Sequence, residues 1–286
     1  MTIAELLNTM RDRIRAAEIS DSPMMEAQWI MEMITGLHRP ELLAHSENEV
    51  SAEHAARALE LTARYVAGEP LPYLLGDWHF YGNRFLVTPA VLIPRPETER
   101  LVELAINWLQ DHTQAKVVLD IGTGSGCIAI TLLKSRKLQL AQVTACDLSF
   151  EALMQAQQNG LLNGVQDRLQ LVQSDLSTSF SEPIDIVCAN LPYIPSARLP
   201  MLDVSRHEPR LALDGGSDGF DLYRKLFSDL SGKMAAESLI LCEIDLTHET
   251  IGADLAQQAF PQAEISVIRD YDGLPRVLSI AHHPTL

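Results

Sequence analysis

Two stretches of this chain combine residue types that can do chemistry. Asn190-Leu191-Pro192-Tyr193 follows the run Ile184-Asp185-Ile186-Val187-Cys188-Ala189, so it falls where a buried strand ends. Asn190 offers a neutral side-chain oxygen, and the Leu191 carbonyl offers a second acceptor. Leu191 precedes proline, which biases it to an extended shape and turns that carbonyl away from helical bonding. Two converging acceptors suit a substrate –NH2 with two hydrogens to give, and the face of Tyr193 can pack on a planar amide or base. An ordinary strand-to-loop turn is the bland alternative; the position at a strand end favours chemistry.

The second stretch is Val117-Val118-Leu119-Asp120-Ile121-Gly122-Thr123-Gly124-Ser125-Gly126. An apolar run ends in alternating glycines, and the apolar residues from Cys127 to Leu133 then take up helical periodicity. Such a turn lets backbone pass close to a ligand and leaves a helix N-terminus facing it. A nucleoside-type cofactor is one use of that geometry and a purely structural turn is the other. The spacing is Gly-x-Gly-x-Gly, unlike the Gly-x-Gly-x-x-Gly of dinucleotide folds. Asp147 ends the next strand, 21 residues past Gly126, where an acid can accept both hydroxyls of a ribose; a buried structural acid is the alternative. Asp175, ending a third strand, is placed either to bind an adenine amino group or to serve as a cap or turn.

The elements that position these residues alternate from Leu101 onward. The pattern predicts helix 101–110, strand 117–121, helix 127–134, strand 142–147, helix 150–159 and strands 169–173 and 184–189. Helix 221–235, strand 238–244, helix 248–259 and strands 264–269 and 275–281 complete it. This alternation implies a mostly parallel sheet covered by helices on both faces, with ligands at the carboxyl ends of the strands.

Residues 1–75 read differently, as a small all-helical domain. Thr2-Ile3-Ala4-Glu5 is a capping box, Ser22-Pro23 starts a helix that Gly36 ends, Pro40 opens a short turn, and Ser51 caps a helix stopping at Gly68. Met24, Met25, Met31 and Met33 are expected to fill its core. Trp78, Phe80, Phe85 and Val87 alternate around Gly82-Asn83, which predicts a β-hairpin linker over 76–95 with those two residues at its turn. Ile93-Pro94-Arg95-Pro96-Glu97-Thr98-Glu99 is rigid and charged, and reads equally as a linker or as the wall of a pocket.

Composition excludes other classes. A net charge of −16 with no basic footprint argues against a general nucleic-acid binder, and no apolar run approaches the roughly 18 residues of a membrane helix. The N-terminus shows no signal-peptide core, so a soluble, cytoplasmic protein is expected. Cys127, Cys146, Cys188 and Cys242 contain no Cys-x-x-Cys pair and read as buried free thiols, and the nine histidines show no metal spacing. No metal is expected.

Gly122–Gly126, Asp147 and Asn190–Tyr193 together resemble a class I S-adenosylmethionine-dependent methyltransferase acting on a planar amino group. With Ile93–Glu99, Glu208-Pro209-Arg210-Leu211-Ala212-Leu213 and Asp218-Gly219, the chain resembles the peptide chain release factor glutamine methyltransferases, the HemK/PrmC family, over nearly its whole length. The resemblance implies an α/β fold, a Rossmann-like seven-stranded domain with its last strand antiparallel, spanning 96–286. It assigns S-adenosylmethionine to Gly122, Thr123, Gly124, Ser125, Gly126, Asp147, Leu176 and Asn190. It assigns substrate binding and catalysis to Asn190, Leu191, Pro192 and Tyr193. The partner would be a release factor, methylated on the glutamine of its Gly-Gly-Gln motif and recognised in part by residues 1–75; no direct contact with nucleic acid is expected. Leu191 departs from the family's usual Asn-Pro-Pro-Tyr. Asn-Leu-Pro-Tyr is familiar from ribosomal RNA adenine dimethyltransferases, so an RNA amino-methyltransferase, a ribosomal-protein glutamine methyltransferase and a non-catalytic nucleotide-binding module are the rival readings.

Overall fold

The computed structural model describes residues 1–181 and 183–284; the last two residues of the span 96–286 lie outside the described residues. The chain divides into two compact units, Met1–Asp77 and Trp78–Leu286.

The first unit is helical: α1 (Ile3–Ala16), α2 (Pro23–Thr35), α3 (Arg39–Ala44), α4 (Ala52–Val66) and α5 (Leu71–Leu75). Thr2 and Glu5 form a reciprocal capping box, and Ile3, Leu6, Leu7, Met10 and Ile14 put one buried face on α1. Ser51 caps α4 by accepting from the His54 amide at 3.1 Å. Ser22 precedes α2, but its hydroxyl makes no capping bond. The methionines do not act as a set: Met31 is buried and Met24 packs beside it, whereas Met25 and Met33 are exposed. Helical periodicity separates these positions, since 31 faces the core where 25 and 33 cannot.

The second unit opens with a two-stranded sheet of β1 (Asp77–Phe80) and β2 (Asn83–Leu86). Its turn lies one residue earlier than the sequence suggested: Tyr81 and Gly82 carry positive φ, 50° and 70°, and Asn83 starts β2 while its side-chain Nδ2 donates to the Tyr81 carbonyl at 3.2 Å. Two central residues at positive φ are what a tight hairpin demands. Phe80 and Phe85 meet edge-to-face and join the core of this unit, so the segment read as a linker contributes to the larger fold.

The rest alternates as α6 (Thr98–Asp111), β3 (Val118–Ile121), α7 (Cys127–Lys134), β4 (Val143–Asp147), α8 (Phe150–Leu162), β5 (Leu169–Gln173), β6 (Ile184–Ala189), α9 (Asp221–Leu230), β7 (Met234–Glu243), α10 (Glu249–Ala259), β8 (Glu264–Arg269) and β9 (Pro275–His282). The helix read over 221–235 stops at Leu230, because Gly232 takes φ 82° and the chain turns directly into a longer β7. The seven strands run in the order β5-β4-β3-β6-β7-β9-β8, and β9 is antiparallel to both neighbours. Alternate residues feed opposite faces. Val118, Ile186, Cys188, Leu239 and Leu241 pack in one core with α6 and α7, and Leu119, Val187, Ile240 and Cys242 in another with α9 and α10. The chain leaves β3 toward β4 on one side and returns to β6 on the other, so a crevice opens at the carboxyl ends of β3 and β6. Among the described residues no helix is long and apolar enough to cross a membrane.

Candidate active site

The crevice is walled by the two chemistry-bearing stretches. Its lining includes Gly122, Thr123, Gly124, Ser125, Asp147, Leu176, Asn190, Leu191 and Pro192, together with Pro94, Arg95 and Thr98. Segment 93–99 therefore contributes Pro94, Arg95 and Thr98 to the pocket wall. A wider groove at the amino ends of β3 to β6 holds neither a glycine loop nor a set of converging acceptors.

The glycine loop is fastened from below. The Gly122 and Thr123 amides both donate to the Cys146 carbonyl at 2.9 Å. Asp120 is fully buried, and its Oδ2 accepts from the Thr123 hydroxyl at 2.6 Å and from the Ala129 amide at 3.1 Å. Burial pushes the Asp120 carboxyl up to about 6 against those two bonds. Gly126 has no bond into the crevice: a Cβ there would stand 2.9 Å from Ile130 and 3.2 Å from Ala156, so it serves the close approach of α7 and α8. A Cβ on Gly124 would meet nothing within 4 Å, which leaves open space above the loop.

Asp147 is held by two backbone amides, Gly124 to Oδ2 and Ser149 to Oδ1, each at 2.9 Å. Each oxygen keeps a lone pair. Burial raises the carboxyl's pKa while the Ser149, Gly124 and Leu148 amides hold it down. Leu176 takes φ 52°, one of three non-glycine residues at positive φ among the described residues. Backbone strain of this kind is held where the surroundings over-determine it, and here its carbonyl receives the Cys146 thiol at 3.5 Å. Asp175 also lines the crevice and forms a half-exposed ion pair with Lys225 of α9.

Asn190 donates through Nδ2 to the Thr98 hydroxyl at 3.0 Å, which leaves Oδ1 as the end of the amide free to accept. Leu191 is buried, and its amide donates to the Tyr223 hydroxyl at 3.2 Å, a bond proline could not make. Tyr223 in turn donates to the Glu243 backbone carbonyl at 2.5 Å. Tyr193 is not part of the pocket wall. Its hydroxyl donates to Oε1 of Glu243 at 3.4 Å, and burial raises its pKa.

Four residues supporting the site escaped sequence reasoning. Thr98 sat unremarked in a charged segment. Glu243 ends an apolar strand run as Asp120 and Asp147 do, and that parallel was the available signal; burial pushes its carboxyl up to about 7. Asn159, fully buried in α8, accepts from the Leu86 amide at 2.7 Å and donates to the Leu86 and Ser125 carbonyls at 3.0 and 2.8 Å. A mid-helix asparagine is locally disfavoured, which marks it. Glu208 belonged to a quoted motif without a role; it accepts from the Ile93 amide at 3.1 Å and pairs with Arg95, tying segment 93–99 to the loop before α9.

The PrmC N-terminal domain family matches residues 5–76, and the family described as ribosomal protein L11 methyltransferase (PrmA) matches residues 99–194. A release factor glutamine methyltransferase of Moorella thermoacetica is 39% identical over 278 residues, spanning 96% of this chain and 97% of that protein. One of Bradyrhizobium diazoefficiens is 32% identical over 293 residues, 99% of this chain and 96% of that protein. The hMettl16 catalytic domain superposes with a TM-score of 0.55 at 14% identity, over 82% of this chain and 83% of that one, a likeness of fold alone.

Proposed function

The chain belongs to the release factor glutamine methyltransferase family, and from that premise we propose how its residues serve the reaction. The enzyme transfers a methyl group to a glutamine side chain of a release factor. We assign the acceptor to the glutamine of the Gly-Gly-Gln motif and the setting to the cytoplasm, where release factors work.

S-adenosylmethionine supplies an electrophilic sulfonium methyl. Asp147 is suited to its ribose, because both carboxylate oxygens keep a lone pair. The open space above Gly124 leaves room for the group, and Gly122, Thr123, Ser125 and Leu176 complete the cradle, with Gly126 letting α7 and α8 pack beneath it.

An amide nitrogen is a poor nucleophile because its lone pair is delocalised into the carbonyl. Asn190 Oδ1 and the Leu191 carbonyl accept its two N–H hydrogens, favouring the charge that develops on nitrogen and holding it in line with the methyl. Pro192 fixes the extended shape that aims the Leu191 carbonyl. Tyr193, anchored on Glu243, braces the loop from behind. No strong base is required, since the proton can leave after transfer.

The observation that carries this reading is the bond from Asn190 Nδ2 to Thr98, which commits the amide's donor end and leaves its oxygen free beside the glycine loop. Mass spectrometry after incubation with isotopically labelled S-adenosylmethionine tests it. Label on a release factor glutamine is expected; label in ribosomal RNA or a ribosomal protein alone would overturn it.

A further inference from the structure

We propose that Gly215 and Gly219 are positioning residues: they let the loop 213–219 pack directly on the backbone of Pro192 and Tyr193, and that packing aims the Leu191 carbonyl at the substrate. The inference rests on the Leu191 carbonyl being an acceptor for the substrate amide. Beyond Tyr193 the chain runs parallel to this loop, with Ile194 opposite Asp214. The Ile194 amide donates to the Leu213 carbonyl at 3.1 Å, the Gly215 amide to the Ile194 carbonyl at 2.9 Å, and the Ser196 amide to the Gly216 carbonyl at 2.8 Å. Ser196 also donates through its hydroxyl to Asp214. The loop is fixed in turn to α9, whose Asp221 amide donates to the Gly215 carbonyl at 3.1 Å and whose Arg224 pairs with Asp218.

At Gly215 a Cβ would stand 2.7 Å from the Tyr193 Cα and 2.8 Å from the Pro192 carbonyl oxygen; at Gly219 it would stand 2.3 Å from the Tyr193 carbonyl oxygen. These neighbours are backbone, which cannot swing aside as the end of a side chain can. Gly215 takes no left-handed φ, so close approach is what calls for glycine there. The effect reaches the acceptor because few torsions intervene. Peptide planarity fixes the bonds on either side of Pro192, and the proline ring fixes its φ. Only the Pro192 ψ stays soft between the Leu191 carbonyl and the Tyr193 Cα, and the oxygen this torsion swings is the one Gly215 faces. On the other flank the Leu191 amide is held by Tyr223. A methyl at Gly215 would need the backbone to withdraw by more than half an ångström to reach ordinary contact at 3.4 Å, and that withdrawal re-aims the carbonyl.

The test is the single-turnover rate constant for methyl transfer by the intact enzyme to a full-length release factor, read by mass spectrometry on the glutamine. The rate constant reports how well competent enzyme is aligned and the amplitude how much of it is folded, so lost stability alone moves only the amplitude. Gly215→Ala and Gly219→Ala should each lower the rate constant roughly 10- to 100-fold, since a misplacement of about 1 Å can cost roughly 10²-fold. Calorimetric cofactor affinity should stay within about threefold of wild type. Gly232→Ala adds a methyl at φ 82° with nothing within 4 Å; it carries left-handed strain without the contact and should keep the wild-type rate constant. Ser196→Ala loosens the clamp without adding an atom, and its rate constant should fall about three- to tenfold, the reach of one hydrogen bond. Wild-type rate constants in the folded glycine variants overturn the clamp, as does an equal loss in Gly232→Ala; should neither glycine variant fold, Ser196→Ala decides. Wild type that methylates no glutamine counts against the substrate reading instead.

Discussion

The side chain of Leu191 fills the space beside Gly122: a Cβ at Gly122 would stand 2.8 Å from Leu191 Cδ2. The cofactor-side loop and the substrate-side loop are therefore one packed assembly, and a change in either disturbs the other. The contact also gives Leu191 a packing role of its own. Its side chain packs inward on the glycine and its amide donates to the Tyr223 hydroxyl.

Gly122→Ala should weaken S-adenosylmethionine binding at least about tenfold. It adds a Cβ at φ 73°, costing on the order of 1–2 kcal/mol in the left-handed region, and it collides with Leu191. Adding Leu191→Ala should recover part of the loss, because only the collision is relieved. Calorimetry on the single and double variants reads this directly; additive losses would mean the two loops are not coupled.

Asp147→Ala should weaken cofactor binding by about 1.5–3 kcal/mol, the scale of hydrogen bonds to a charged group. The variant also frees the Gly124 and Ser149 amides that the carboxylate now accepts. Unchanged affinity by calorimetry would remove Asp147 from the site.

Much of this was legible in the sequence because its signals were local. Val118–Ile121 and the glycines after it read as strand and turn on their own, and the β-α alternation then fixed where Asp147 and Asn190 must meet. What stayed hidden depends on contacts distant in sequence. Thr98 matters only because its hydroxyl accepts from Asn190, 92 residues away in sequence. The hydrogen bond from the Tyr193 hydroxyl to Glu243 joins residues 50 apart and has no local signal. The hairpin turn slipped by one residue because Gly82-Asn83 is a strong turn pair, whereas the fold puts Tyr81 at positive φ. The ion pair between Asp175 and Lys225 of α9 was likewise out of reach of local pattern, although Asp175 itself lines the crevice as its strand position suggested.

Asp120 makes stability depend on pH in a defined direction. Its carboxyl is raised from 3.8 to about 6 by burial, so the folded state holds the proton more tightly than the unfolded one. That contribution is full below about pH 4 and is lost as pH rises through about 6. Asp120→Asn cannot titrate, so its stability relative to wild type should rise between pH 4 and pH 6.5, by on the order of 2 kcal/mol, and then level off. Denaturant melts across that range check this; a constant difference would mean Asp120 titrates normally in the fold.

Residues 1–76 precede β1 and form most of a separate compact unit. A chain lacking them should still bind S-adenosylmethionine but show a raised KM for an intact release factor, with its feeble activity on a short Gly-Gly-Gln peptide nearly unchanged. Remote binding of this kind adds to the rate by positioning the reacting amide. A folded truncation that treats both substrates as the full chain does would leave the helical unit without a recognition role.

The central claim is that Asn190 accepts from the substrate amide, and turnover of Asn190→Ala on a full-length release factor tests it most directly. Single-turnover methyl transfer, read by mass spectrometry on the glutamine, should fall roughly 10²- to 10³-fold, the scale of losing one preorganised polar group. Cofactor affinity measured on the same sample should fall far less. Methyl transfer at the wild-type rate by Asn190→Ala would contradict the account.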